Sequence, residues 1–327
     1  MKPKVYVTRR VPDAGLDQVL TACDAEVWSD ELPVPRDVLL EKVQHVEGLY
    51  CLLTERVDEE LLDAAPHLKV VSNYAVGYNN IDVDACTARG IPVGNTPGVL
   101  TDTTADFAWA LLMATARRVV EATHYVVEGR WKTWGPRLLL GVDVHGATLG
   151  IIGFGRIGQA VARRAKGFDV RVLYHDPYVG DVDPDLADAQ QVDLPTLLRD
   201  SDFVSVHVPL TDETHHLIGS EELAQMKSSA VLINTSRGPV VDPEALAKVL
   251  EAGGIAGAGL DVTEPEPIPA DHPLVGLVNC VVTPHIASAS VTTRDKMAMI
   301  AAENLIAGLQ GERLPHCVNP EVYSDNA

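Results

Sequence analysis

The chain has 327 residues, 46% of them hydrophobic, and a formal net charge of −20. That length fits two domains with sizeable cores, and the acidity excludes nucleic acid and anionic membrane as natural partners. No apolar run reaches the roughly 18 residues of a membrane span. Five scattered cysteines without a CxxC pair, behind an opening MKPKVYVTRR that lacks a signal-like apolar stretch, predict a cytoplasmic protein with reduced thiols.

The spacing predicts strands at 5–8, 26–28, 48–54 and 70–73, separated by helices at 13–21, 36–46 and 58–65. A helix at 82–89, closed by Gly90, and an extended stretch at 91–95 follow. Asp58 stands where an N-cap belongs. Such alternation implies a parallel sheet covered on both faces. Thr96-Pro97-Gly98 breaks the pattern, and one long helix is expected over 101–128. Its core, FAWALLMATA, is apolar enough to be buried between domains or subunits. The segment 129–145, with Trp131, Trp134, Pro136 and Leu138 to Leu140, is too apolar for a free loop. It reads as an oligomer contact or, alternatively, as an internal packing loop.

The next stretch is the most informative. ATLGIIGFGRIGQAVARRAKGFDVRVLYHD, at 147–176, places G-x-G-x-x-G (Gly153, Gly155, Gly158) between a strand at 149–152 and a helix at 156–166. Gly167 is positioned to end that helix. A second strand at 170–174 leads to Asp176, 18 positions after Gly158. Gly153 allows the tight turn, Gly155 lets backbone approach a pyrophosphate, and Gly158 lets helix and strand pack closely. The helix N-terminus then faces the anion. Asp176 can accept from ribose hydroxyls and would repel a 2′-phosphate, which predicts NAD(H) over NADP(H). A tight turn in an unrelated α/β protein is the plainer alternative.

Strands are expected at 203–208, 231–234, 257–261 and 280–283, with helices at 220–226 (N-cap Ser220), from Asp242-Pro243 onward, and at 292–309. EPEPIPADHP, at 264–273, is a proline-rich loop. The last helix could return to the first domain and make it discontinuous. NTSRG at 234–238, DVTEPEP at 261–267 and TPHIAS at 283–288 all lie at C-terminal strand ends, where open α/β sheets bind ligands. They supply an arginine, carboxylates and a histidine. Reduction of a 2-oxoacid needs that set: a cation for the carboxylate, a proton donor active near neutrality, and an acid beside the imidazole to orient it. Taken singly, Arg237 could pair with a surface acid, His285 could be structural, and Glu264 and Glu266 could be solvated. His215-His216 invites a metal, but an adjacent pair without a visible third ligand is poor coordination geometry, and no metal is expected.

Four stretches together carry a family resemblance: GIIGFGRIG at 150–158, NTSRG, AGAGLDVTEPEP at 256–267 and TPHIASA at 283–289. Over essentially its whole length the chain resembles the D-2-hydroxyacid dehydrogenases. YAVGYNNID (74–82), GVLTDTTADFAWALLMATAR (98–117), Trp134 and LLLGVDVHGATLGIIG (138–153) are most similar to the glyoxylate/hydroxypyruvate reductases among them. The resemblance implies catalytic roles for Arg237, Glu266 and His285. It implies substrate contacts from the Val76 and Gly77 N–H groups, with Leu53 and Ser288 lining the pocket and Trp134 crossing a homodimer interface toward the partner's site. It places Thr104, Arg156 and Ile157 at the cofactor pyrophosphate. Val208, Pro209 and Thr214 fall on the adenosine side, and Thr235, Asp261 and Ala287 near the nicotinamide. One departure matters: many such reductases carry arginine after the second strand and use NADPH, whereas this chain has Asp176.

The expected architecture is therefore α/β, with two doubly wound parallel-sheet domains and an interdomain cleft. A flavodoxin-like substrate domain would comprise 1–98 and 288–327, and a Rossmann cofactor domain 99–287. The expected reaction is NADH-dependent reduction of a small 2-oxoacid (glyoxylate or hydroxypyruvate) to the D-2-hydroxy acid. D-lactate, phosphite or formate dehydrogenases, and NAD-sensing corepressors of the same fold, are the competing readings.

Overall fold

Two all-parallel sheets organise the chain in this computed structural model, which describes residues 1–326 and side chains through 323. Residues divide into two compact units, Met1–Leu100 with the chain from Ala289 onward, and Thr101–Ser288.

The first unit holds β1 (Lys4–Val7), β2 (Asp24–Val27), β3 (Gly48–Cys51), β4 (Val70–Asn73) and β5 (Val93–Gly94) in the order β2-β1-β3-β4-β5. Strands β3 and β4 are buried at every position, as expected of a sheet covered on both faces. The covering helices start as the sequence directs. Asp58 caps Glu59–Ala64 by accepting from the Leu61 N–H, and Asp82 caps Val83–Ala88 by accepting from Ala85. Helix Val291–Leu309 begins on Ser290, which caps Thr293, and packs on this same sheet. Ser72 donates to the Ala301 carbonyl at 2.7 Å and Tyr74 to that of Arg294 at 2.9 Å.

The second unit holds β6 (Thr148–Ile152), β7 (Arg171–His175), β8 (Gln190–Gln191), β9 (Phe203–Val206), β10 (Val231–Asn234), β11 (Gly257–Leu260) and β12 (Cys280–Val282). Their order is β12-β11-β10-β9-β6-β7-β8. The order reverses between β6 and β9, so the carboxyl ends of those strands flank a switch-point crevice. Both sheets are doubly wound and parallel, as the sequence predicts.

Several local expectations are corrected. The helix expected over 101–128 is two helices, Thr101–Ala116 and Val119–Val127. Arg118 takes a left-handed φ of 55° at the break, and its guanidinium bonds both oxygens of Glu121. The chain returns at Val142, whose N–H bonds the Ala116 carbonyl at 3.0 Å and satisfies the first helix's end. Helix Arg156–Ala165 does not end on Gly167: a 3-10 turn continues to Phe168, and Asp169 takes the left-handed position. The N-cap of Ser220–Gln225 is Gly219, not Ser220, and its N–H donates to Glu222 at 3.1 Å. Helix Leu194–Asp200 and the two-residue β8 were not foreseen.

The segment after the break is exposed. Helix Val119–Val127 buries no residue, and Val127, Trp131, Trp134 and Leu140 stand 60–79% exposed.

Candidate active site

The glycine loop follows β6. Gly153 has φ +89°, and a Cβ there would meet backbone of His207 and Val208 at 2.8 Å, so this turn admits glycine alone. A Cβ on Gly158 would lie 2.1 Å from the Gly153 carbonyl oxygen, which explains the close approach of helix to strand. Around Gly155 nothing lies within 4 Å of that position, so its backbone borders open space at a helix start. Arg156 is exposed there, Ile157 is half-buried, and Thr104 is buried on the first turn of Thr101–Ala116. Asp176, just past β7, accepts from the Phe154 N–H at 2.8 Å and from Tyr178 at 2.9 Å. It is thereby tied to the glycine loop itself. Thr235, after β10, keeps a buried hydroxyl with no partner among the described residues, a polar atom at the same end of the sheet. Val208 and Pro209 follow β9, and Thr214 folds back to donate to the Pro209 carbonyl at 2.6 Å. A positive-φ glycine turn, an open helix start, a tethered carboxylate and an orphaned hydroxyl together fit a dinucleotide.

The catalytic candidates come from β10, β11 and β12. His285 Nδ1 lies 2.6 Å from Glu266 Oε1. Burial pushes the Glu266 carboxyl up. The His285 hydrogen bond and charge, the Thr263 N–H and the Arg237 guanidinium outweigh it, and the group lies below its ordinary value. Arg237 is deeply placed: burial lowers its pKa and the Glu266 charge opposes that shift. Its Nη1 donates to the Ser236 carbonyl at 2.8 Å, and Asn234 holds the Arg237 carbonyl at 2.9 Å.

His285 sits at a left-handed φ of 55°, uncommon for a non-glycine residue. Asp261 accounts for it. This carboxylate is 1% exposed and accepts from the Ile286 N–H at 2.8 Å, the Ala287 N–H at 2.7 Å and Thr283 Oγ1 at 2.6 Å. Its carbonyl also accepts from the His285 N–H at 2.9 Å. The sequence reading gave Asp261 a cofactor contact and missed this internal work. Ser288 follows, half-buried, at the end of the same turn.

In the first unit, Leu53 follows β3, beside β1, where that sheet's order reverses. Its loop is pinned by Glu55, 3% exposed, which accepts from the Leu52 N–H at 2.8 Å and from Thr8 Oγ1. No local pattern around Glu55 announced this. Val76 and Gly77 follow β4. The Ala75 carbonyl accepts from the Thr96 N–H at 2.9 Å, and the Val76 carbonyl from Asn95 Nδ2 at 2.8 Å. In a trans peptide the N–H points opposite to the C=O. The Val76 and Gly77 N–H groups are thus both turned away from Asn95 and Thr96, as a pair suited to an anion.

With this geometry, the family follows. Residues 109–287 match the model of the D-isomer specific 2-hydroxyacid dehydrogenase, NAD binding domain. A glyoxylate reductase of Korarchaeum cryptofilum is 57% identical over 324 residues, spanning 98% of this chain and 97% of that one. A solved Thermus thermophilus structure superposes with a TM-score of 0.91 at 48% identity, covering 96% and 99% of the two chains. An NADPH-dependent glyoxylate/hydroxypyruvate reductase of Sinorhizobium meliloti gives 0.84 at 32% identity, with 98% of each chain covered. The chain belongs to the D-isomer specific 2-hydroxyacid dehydrogenase family. Among the described residues, no helix is long and apolar enough to cross a membrane.

Proposed function

We propose that the protein is an NADH-dependent reductase of glyoxylate and hydroxypyruvate that yields the D-2-hydroxy acid. The observation that carries this reading is the His285–Glu266 pair at 2.6 Å near half-buried Arg237, on the turns that follow a dinucleotide loop. Relatives that are 50–57% identical bear the name glyoxylate reductase.

The glycine loop with Arg156, Ile157 and Thr104 would hold the cofactor pyrophosphate. Asp176 would hold its ribose, Val208, Pro209 and Thr214 its adenosine side, and Thr235, Asp261 and Ala287 its nicotinamide end. Bound there, the nicotinamide supplies a hydride. The chain supplies the rest. Arg237 clamps the substrate's carboxylate and carbonyl oxygens, and the Val76 and Gly77 N–H groups hold the carboxylate. Leu53, Ser288 and Trp134 line the pocket, Trp134 reaching from the partner of a homodimer. Glu266 engages Nδ1 of His285, so the exchangeable proton is carried at Nε2 and delivered from there to the carbonyl oxygen. The first unit would serve as substrate domain, the second as cofactor domain, and the protein would work in the cytoplasm.

Asp176 supports NADH over NADPH, against the NADPH dependence of the Sinorhizobium reductase. Loss of NADH absorbance with glyoxylate, hydroxypyruvate and pyruvate, repeated with NADPH, tests the reading. Fast NADH turnover of the first two is expected. NADPH preference would overturn the cofactor assignment, and absence of turnover with tight NADH binding would favour a sensor. Asp176→Ala is expected to shift the NADH:NADPH ratio of kcat/KM toward NADPH; an unchanged ratio removes Asp176 from the role.

A further inference from the structure

His215 and His216 acquire a third neighbour that is 48 residues away from His216 in sequence. His216 Nε2 lies 2.8 Å from Glu264 Oε2, His215 Nε2 lies 3.9 Å from Glu264 Oε1, and one ligand atom from each residue falls within 4.8 Å of the others. We infer that His215, His216 and Glu264 form a binding site for one divalent transition-metal ion of the zinc, cobalt or nickel class.

The backbone makes the pair possible. Neighbouring side chains in an extended segment point to opposite sides. His216 has a left-handed φ of 52°, which turns the chain so that the two imidazoles stack with centroids 4.0 Å apart. A non-glycine residue in that region is strained and persists only where its surroundings hold it. Here the His216 N–H bonds the Pro239 carbonyl at 2.7 Å. The third ligand that the neighbouring sequence lacks comes from the loop after β11.

The donor set selects the ion. Two imidazole nitrogens and one carboxylate oxygen suit borderline cations, whereas calcium and magnesium prefer all-oxygen shells. Ligands about 2 Å from a tetrahedral ion lie roughly 3.4 Å from each other. The 2.8 Å pair has to open slightly and the 3.9 Å pair to close, both within side-chain rotation. Three protein ligands leave a fourth position for solvent. The side chains are 51%, 37% and 34% exposed, so an ion can enter from solution, and a chain of net charge −20 attracts cations. Glu264 stands two residues before Glu266 and His215 follows Thr214, but ion binding is read directly and does not depend on the proposed reaction. A bare surface contact of His216 and Glu264 is the alternative.

The test uses the full chain stripped with a chelator. Zinc is titrated in competition with a chromophoric chelator, and cobalt is followed by its d–d absorption. One saturable equivalent is expected, with an intense tetrahedral cobalt spectrum and no competition from magnesium. Glu264→Gln preserves shape, and His216→Asn keeps a residue that tolerates the left-handed backbone, so both should fold. Loss of a residue merely supporting a ligand typically weakens metal binding about 10–100-fold. Loss of a ligand here should weaken zinc binding at least about tenfold, and the double His215→Asn, His216→Asn variant should lose the cobalt spectrum. No stoichiometric binding by the unaltered protein, or equal binding by these variants, overturns the proposal.

Discussion

The two units solve one problem in different materials. Each has a parallel sheet with a switch point, and each pins a loop at the carboxyl end of a strand with a buried acid: Glu55 after β3, Asp261 after β11. In the second unit the pinned turn presents side-chain chemistry, His285 with Glu266 and Arg237 nearby. In the first, the neighbouring turn presents backbone, the Val76 and Gly77 N–H groups oriented through the carbonyls of Ala75 and Val76. Side chains can exchange protons, whereas backbone donors can only bind. On the proposed function, the asymmetry would give chemistry to one sheet and substrate positioning to the other.

The strongest way to break that division is to remove the proposed proton donor. His285→Ala is expected to lower kcat with glyoxylate about 10²–10⁴-fold, the usual worth of a general acid, while NADH binding changes little. Near-full turnover would remove His285 from the mechanism and leave the second unit a cofactor holder only.

The two buried acids sharpen the comparison next. Asp261→Asn places an amide NH2 against backbone N–H groups, and Glu55→Gln does the same at Leu52. Each should cost about 1.5–3 kcal/mol, the range for hydrogen bonds to charged groups, read as a lower urea midpoint at unchanged slope. Their kinetic signatures should differ. Asp261→Asn loosens the strained His285 turn and should act mainly on kcat, whereas Glu55→Gln loosens the Leu53 loop and should act mainly on KM. Matching signatures would dissolve the division of labour. Gly158→Ala follows: its Cβ meets a carbonyl oxygen at 2.1 Å, and overpacking of this kind typically costs about 1–3 kcal/mol. Weaker NADH binding should accompany that loss, measured by fluorescence titration.

The comparison also explains what could be read from residues. The glycine loop was legible because a pyrophosphate and a close helix both forbid Cβ atoms, and absent side chains leave a spelling. That Arg237, Glu266 and His285 would lie near one another was legible, because the proposed chemistry calls for those residue types at strand ends. Backbone donors carry no such mark: Val76 and Gly77 rested on resemblance, and Glu55 and the internal role of Asp261 went unread because their partners are distant or main-chain atoms. Glu264 was unread beside His215-His216 for the same reason of distance. The helix break at Arg118 was hidden by local propensity, since FAWALLMATARRVVEATHYVV favours continuous helix. It is enforced by the return of Val142 onto Ala116.

The mildest test concerns pH. His207, at the carboxyl end of β9, packs under the glycine loop, where a Gly153 Cβ would meet it. Its Nε2 lies 2.8 Å from Ser205 Oγ, and burial lowers its pKa from 6.5 to about 4. The folded protein therefore keeps this imidazole neutral where the unfolded chain would protonate it. Between pH 6.5 and about 4 the unfolded state binds the extra proton, so stability falls as pH falls through that window. Above 6.5 neither state is protonated at this group and below about 4 both are, so its contribution is flat on either side. The slope from one group cannot exceed about 1.4 kcal/mol per pH unit. His207→Asn should reduce the dependence of the urea midpoint on pH inside the window and leave it unchanged at pH 8. Glu266, whose folded value lies below its ordinary 4.5, adds stability that is lost as pH falls from about 4.5 through that lower value, a loss the His207→Asn variant should share with the unaltered protein. If His207→Asn leaves the slope between 6.5 and about 4 intact, the imidazole is hydrated in solution, and the crevice beneath the glycine loop is wetter than its packing indicates.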